Sequence, residues 1–268
     1  MVVGKKLRKG KKILCGILAA LLAVVLLLVI AVAVVAFNNV KAMNHCVDAV
    51  LEEIGKTHTV TPVDPGEYEE MTIYGIMKFD VEQYDIEGVG NLSVMRVNMG
   101  VMQMATVVIT PQDRNLPLLS ADYMYILSNR KAYLEFYDVV SEKDDAYLAL
   151  LDDLKQVHSG FDHLENVETT PAWYADLLTV TAYKGGGTEA DADLEDMLVE
   201  SVNVYLEHGA AVPPLTDAQR EEKLAITVEY TDGLIEKGGI STDIFKQELG
   251  SEETKKFFDQ VFFGTAAD

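Results

Sequence analysis

One aspartate stands in an unusual setting. Asp122 lies in Leu116-Pro117-Leu118-Leu119-Ser120-Ala121-Asp122-Tyr123-Met124-Tyr125-Ile126. On an extended strand it shares a face with Met124 and Ile126, so its carboxylate points where apolar side chains point. Burial of that face raises the carboxyl pKa and leaves a proton to donate near neutrality. The competing reading is a strand-end Asp satisfied by a loop amide. Other chemistry lacks its signals. His158 and His163 flank Asp162 without a His-Glu-x-x-His spacing, and no metal site is expected. Gly185-Gly186-Gly187 reads as a loop and not a phosphate cradle, because no Gly-Lys-Ser/Thr follows. There is no Gly-x-Ser-x-Gly and no Gly-x-Gly-x-x-Gly. Cys15 lies at the leading edge of a long apolar run and Cys46 just beyond its other end; across a membrane they cannot pair, so no intramolecular disulfide is expected, and there is no Cys-x-x-Cys metal or redox motif.

The charge pattern divides the chain. It has 268 residues, 22 bases and 43 acids, a net charge of −21. Lys5, Lys6, Arg8, Lys9, Lys11 and Lys12 all precede residue 37, and no acid does. The remainder holds 16 bases against 43 acids, a net −27, which excludes a nucleic-acid binder. Ile13 to Phe37 contains no charged residue and is 25 residues long. A helix of that length spans roughly 37 Å, more than a bilayer core of about 30 Å. A cleavable signal has a shorter apolar region, so an uncleaved anchor is expected. The basic flank puts the N-terminus in the cytoplasm and the acidic body outside it. The expected organisation is a basic cytoplasmic N-terminus at 1–12, a transmembrane helix at 13–37 and a single domain at 40–268, in a single-pass cell-membrane protein.

The body reads as strands followed by helices. Residues 40–56 read as a short helix, with Ala42, Cys46, Ala49, Val50 and Ile54 near one face. A loop follows with Pro62 and Pro65-Gly66. Period-two alternation begins at Tyr68, with Met71, Ile73, Met77, Phe79 and Val81 on one face. Further strands are expected at 91–99, 102–110, 120–127 and 132–139, the last two joined by a turn at Ser128-Asn129-Arg130-Lys131. Such short links make the sheet antiparallel. Helix starts follow at Ser141-x-x-Asp144, at Thr188-x-x-Asp191 (stopped by Gly209) and at the capping box Thr216-x-x-Gln219, which ends near Gly238-Gly239. Ser241 and Ser251 open two more. Trp173–Tyr183 is ambiguous, and its stretch Leu178-Thr179-Val180-Thr181-Ala182-Tyr183 could be a sixth strand. The order predicts an α+β domain. The Met95, Met99, Met102 and Met104 stripe reads as core.

The stretch Ile109-Thr110-Pro111-Gln112-Asp113-Arg114-Asn115-Leu116-Pro117, leading into the Asp122 strand, resembles the ferredoxin-dependent bilin reductases. So do Leu134-Glu135-Phe136-Tyr137-Asp138, Pro171-Ala172-Trp173, and the ending Leu249-Gly250-Ser251-Glu252 through Phe263. The likeness runs over roughly residues 45–264. It implies an α/β/α three-layer sandwich with a central antiparallel sheet, and a linear tetrapyrrole pocket between sheet and helices. It implies no bound flavin or metal, and an external one-electron donor. It puts Asp122 in the place of a catalytic acid, facing an apolar cavity bounded by the helices after 215. Arg96, Asn98 and Arg114 are the nearest polar candidates for holding substrate. Members similar to the phycocyanobilin-forming enzyme also carry a His and a Glu on preceding strands, where ungapped counting puts Ala105 and Ser93. Bases that meet substrate propionates are replaced by Glu168 and by Gly238–Thr242. A body at −27 also does not suit an acidic ferredoxin. A non-catalytic ligand-binding or surface interaction module on the same fold is the alternative.

Overall fold

The computed structural model of the chain describes the backbone of residues 2–266, and the side chains of residues 15–266 other than 240 and 241. The basic side chains at 5–12 therefore lie outside the described residues. Helix α1 (Val2–Thr57) comes first. The expected short helix at 40–56 is not separate: it continues the apolar helix without a break. No Pro or Gly lies between Phe37 and Ile54 to end it. The buried side chain of Asn39 donates Nδ2–H to Leu127 O at 3.0 Å, which fixes the helix where the apolar stretch meets the body. Between Ile17 and Phe37 the apolar side chains are exposed, apart from the partly buried Val35 and Ala36. Among the described residues this is the one helix long and apolar enough to cross a membrane.

Nine strands form one antiparallel sheet. They are β1 (Val60–Val63), β2 (Glu70–Ile73), β3 (Met77–Ile86), β4 (Gly90–Asn98), β5 (Met102–Pro111), β6 (Leu118–Ile126), β7 (Asn129–Tyr137), β8 (Glu165–Asn166) and β9 (Leu178–Gly186). Their order is β1-β3-β4-β5-β6-β7-β9-β8, with β2 also pairing β3. Several expectations are corrected. The predicted loop at Pro62 is strand β1; Pro62 faces Tyr84 on an edge, where its missing N–H costs no ladder bond. The alternating run from Tyr68 is two strands, broken at Tyr74 and Gly75, both with positive φ. The β6–β7 turn comes earlier than predicted: Ile126 pairs with Asn129, leaving Leu127-Ser128 as the loop and placing Arg130 and Lys131 in β7. The stretch from Leu178 is strand β9, to which Gly185 and Gly186 also belong. A Cβ on Gly185 would lie 2.8 Å from Arg130 O, so this glycine serves close strand approach.

The remaining helices are α2 (Asp145–Ser159), α3 (Asp191–Ala211), α4 (Asp217–Lys237), α5 (Ile240–Leu249) and α6 (Ser251–Phe257). The α2 cap is Asp144, whose side chain accepts from Tyr147 N, and not Ser141. A 3-10 turn at Thr188–Ala190 precedes α3, which runs past Gly209 because that glycine packs against Leu116. Thr216 and Gln219 form both bonds of the α4 capping box.

The two sheet faces have separate cores. Met43, Cys46, Val47, Val50 and Ile54 of α1 join α2 and α3 over Leu92, Val94, Val107, Ala121 and Leu134. On the other face Tyr230 and Leu234 of α4, Phe245 of α5 and Phe257 of α6 cover Phe79, Met95, Val97 and Val108. Two helical layers enclosing one antiparallel sheet are the sandwich expected from the sequence. A lysine that sequence reading missed ties α4 to this frame. Lys223 is fully buried, and its Nζ donates to Leu116 O at 2.7 Å and to Val139 O at 3.1 Å, just outside the two ends of the β6–β7 hairpin.

Candidate functional site

Asp122 sits at mid-sheet on the face covered by α4–α6. The register draws a row of neighbours across five strands: Met95, Thr106, Asp122, Tyr133 and Tyr183. The next row is Ser93, Val108, Ser120, Glu135 and Thr181. Thr106 Oγ1 donates to Asp122 Oδ1 at 2.5 Å. Asp122 is only half-buried by surface, yet protein crowds it on every side. It is therefore set in a recess that water still reaches. Loss of hydration pushes its carboxyl up to about 6; the Thr106 bond opposes this, and the Glu135 charge adds to it.

Glu135 is the main residue that sequence reasoning missed. Its carboxylate accepts from the Tyr183 hydroxyl at 2.7 Å and from the Tyr137 hydroxyl. Alternation along β7 places it on the Asp122 face, and that signal was legible. The surroundings correct the expected apolar lining: threonine, tyrosines and a second carboxylate surround Asp122. Cavities lie to the sides of this position. One, of about 610 Å³, lies beside β9 and is lined by His158, Asp162, Thr181 and Lys184; another, of about 310 Å³, is lined by Thr110, Gln112, Arg220 and Lys223.

The other candidates do not converge on Asp122. Arg96 faces the opposite layer and pairs with Glu82 at 2.6 Å, because it lies one residue out of phase with Met95. Asn98 Oδ1 accepts from Gly100 N at 3.0 Å and shapes the β4–β5 turn. Arg114 donates to Gly88 O and Val212 O, both at 3.0 Å, beyond the far end of the sheet. Ala105 lies in the opposite core, so the residue beside Asp122 is Thr106. Ser93 is buried and donates to Phe262 O at 2.7 Å, while Glu168 is exposed in a loop. In the row beyond Asp122, after Met124, stands the exposed Lys131. Among the described residues, no three His, Cys, Asp or Glu side chains are grouped to hold a metal.

A loop before β9 packs onto this face. Trp173 Nε1 donates to Gly238 O at 2.9 Å, and Tyr174 packs in a tilted arrangement against Tyr137 at 5.7 Å between ring centroids. Tyr137 meets Tyr230 at 4.9 Å, and Tyr230 meets Trp173 at 6.2 Å. Gly233 of α4 makes room: a Cβ there would lie 2.4 Å from Trp173 Cη2. Trp173 is the only tryptophan, so its emission reports the packing directly. Gly233→Ala is expected to displace the indole and shift its emission to the red. In an open helix the same change stabilises by about 1 kcal/mol. Unchanged emission with raised stability would show that the loop does not dock on α4.

No family model matches the chain, and no curated protein does. Among solved structures the chain is similar to phytochromobilin synthase from tomato, in its crystal structure in complex with biliverdin. The TM-score is 0.67 and the identity 12%, over 84% of this chain and 85% of that one. The fold is thus that of a ferredoxin-dependent bilin reductase, at a divergence that leaves little sequence in common.

Proposed function

We propose that this chain is a membrane-anchored, bilin-reductase-like oxidoreductase that binds a linear tetrapyrrole and protonates it from Asp122. The observation that supports this most is the Asp122 carboxyl, held near neutrality on the sheet face beneath α4–α6. The tomato enzyme of the same fold was crystallised with biliverdin. Reducing one carbon–carbon double bond takes two electrons and two protons. An external one-electron donor supplies the electrons singly. Asp122 gives the first proton, is reprotonated from water through the recess, and then gives the second. Thr106 holds the carboxyl in place. Residues 1–12 remain cytoplasmic, 13–37 span the bilayer, and the domain from 40 onward lies outside the cytoplasm. The donor is then not a soluble cytoplasmic ferredoxin.

A second reading keeps the ligand and drops the chemistry. It rests on the Trp173–Tyr174 loop, which fills part of the Asp122 face, and on the absence of a base from the Asp122 row and the Glu135 row beside it. Biliverdin added to the full chain in detergent is expected to shift its visible band, and a strong artificial reductant is expected to bleach and replace it. A shift without turnover favours the binding module. No shift at any concentration removes both readings.

A further inference from the structure

Three hairpin tips lie side by side at the end of the sheet where α1 leaves the body. The β2–β3 turn exposes Tyr74 (46%) and Ile76 (75%), the β4–β5 turn exposes Val101 (50%), and the β6–β7 turn exposes Leu127 (45%). Register puts them at one end of the sheet. Lys78 pairs with Asn98, setting the first tip near the second, and Met102 pairs with Ile126, setting the second beside the third. Leu127 N donates to Val101 O at 3.1 Å. Leu127 O in turn accepts from Asn39 of α1, two residues after Phe37 ends the exposed apolar run.

Single exposed apolar side chains are ordinary; adjoining ones at the foot of an apolar helix are not. Tyr74 and Leu127 hold left-handed backbone, with φ of 52° and 53°, where Gly or Asn fits with less strain. Bulky side chains sit there in spite of local preference. The charge agrees. Residues 71–79, 88–112 and 123–134 contain no Asp or Glu. Lys78 and Lys131 are exposed beside the tips, and Lys41 is exposed just past Asn39. The neighbouring β9–α3 connection has its acids engaged: Glu189 Oε1 accepts from Gly187 N at 3.0 Å, and Asp191 pairs with Arg130. The opposite end of the body carries Asp85, Glu87, Asp113, Glu142, Asp144 and Asp145 at its turns and strand ends.

We infer that these three tips rest in the interfacial layer of the same bilayer that α1 enters, with Lys41, Lys78 and Lys131 at the lipid phosphates. The occupant is the lipid surface, since α1 already delivers this end of the sheet to it. Aromatic and apolar side chains flanked by lysine suit that layer. This inference rests on the anchor reading of α1 and adds a second, independent contact to it.

The test uses the full chain with Cys15→Ser, reconstituted in phosphatidylcholine–phosphatidylglycerol vesicles, with the buried Cys46 left in place. Spin labels go onto Ile76→Cys, Val101→Cys, Leu127→Cys and, at the far end, Glu142→Cys. Each label is read by its collisions with oxygen and with a water-soluble nickel chelate. The three tip labels are expected to favour oxygen over nickel severalfold more than the Glu142→Cys label does. Lys78→Glu with Lys131→Glu is expected to reduce that protection in anionic vesicles. Tip labels as open to nickel as the Glu142→Cys label, in protein that resists carbonate extraction, would overturn the inference and leave the anchor standing. Release of the whole chain by carbonate would instead sink the anchor reading.

Discussion

Asp122→Asn is expected to keep pigment binding and to lose turnover by about 10²–10⁴-fold, the usual worth of a positioned general acid. The amide still accepts from Thr106, so the local geometry survives. The same variant carries a second sign. The Asp122 carboxyl is raised from 3.8 to about 6 in the folded chain, so folding loses stability as pH rises through that window. Asn has no charge to bury. Asp122→Asn should therefore be more stable than the parent by about 1–2 kcal/mol at pH 7–8, after discounting for water in the recess, with the gain disappearing below about pH 4. Single-turnover kinetics and denaturant midpoints at pH 4 and pH 8 check both halves. Full turnover in the variant would dismiss Asp122 as the acid, and equal stability at both pH values would show that the carboxyl is not set in protein.

The second large effect concerns Lys223. Burial lowers its ammonium pKa to about 7, against a partial opposing pull from Asp138. The unfolded chain holds that proton up to about pH 10, so the wild type gains stability between roughly pH 7 and pH 10. Lys223→Met fills similar space but leaves Leu116 O and Val139 O without their donor, at about 1–3 kcal/mol each. The variant is expected to lose about 2–4 kcal/mol at pH 9 and less at pH 6, where the wild type bears the full cost of a buried charge. Guanidinium unfolding in detergent at the two pH values checks it. A deficit that does not change with pH would mean that Nζ is hydrated.

Much of the sheet was legible because buried and more open residues alternate along most of β3, β6 and β7, while β4 and β5 are buried almost throughout. Asp122 stood out because its row mates along β6 are apolar. What was lost was lost by single residues. Counting back without gaps from Asp122 arrives at Ala105, while the β5–β6 pairing brings Thr106 to its side. A shift of one residue changes the face, which is why the candidate relay position was misassigned. Arg96 failed in the same way, by phase along β4. The β6–β7 turn moved because Leu127 accepts a left-handed backbone that sequence rules assign to Gly or Asn. Alternation along β7 was enough to put Glu135 on the Asp122 face, but its bond from Tyr183 and the packing of Trp173 on α4 arise only when β7, β9 and α4 are brought together. The 12% identity to the tomato enzyme's chain shows how far the side chains can drift while the sandwich remains.

The unbroken helix α1 carries one further consequence. A flexible linker lets a tethered domain spin freely above its anchor, whereas α1 passes from the exposed apolar run into the core without a hinge. The azimuth of the body about the exposed apolar run is thus fixed by helical phase. One residue added between Phe37 and Asn39 would turn everything beyond it by about 100° and raise it by about 1.5 Å. The orientation of the sheet toward its surroundings is therefore encoded in the number of residues in a single helix as much as in any contact the sheet makes.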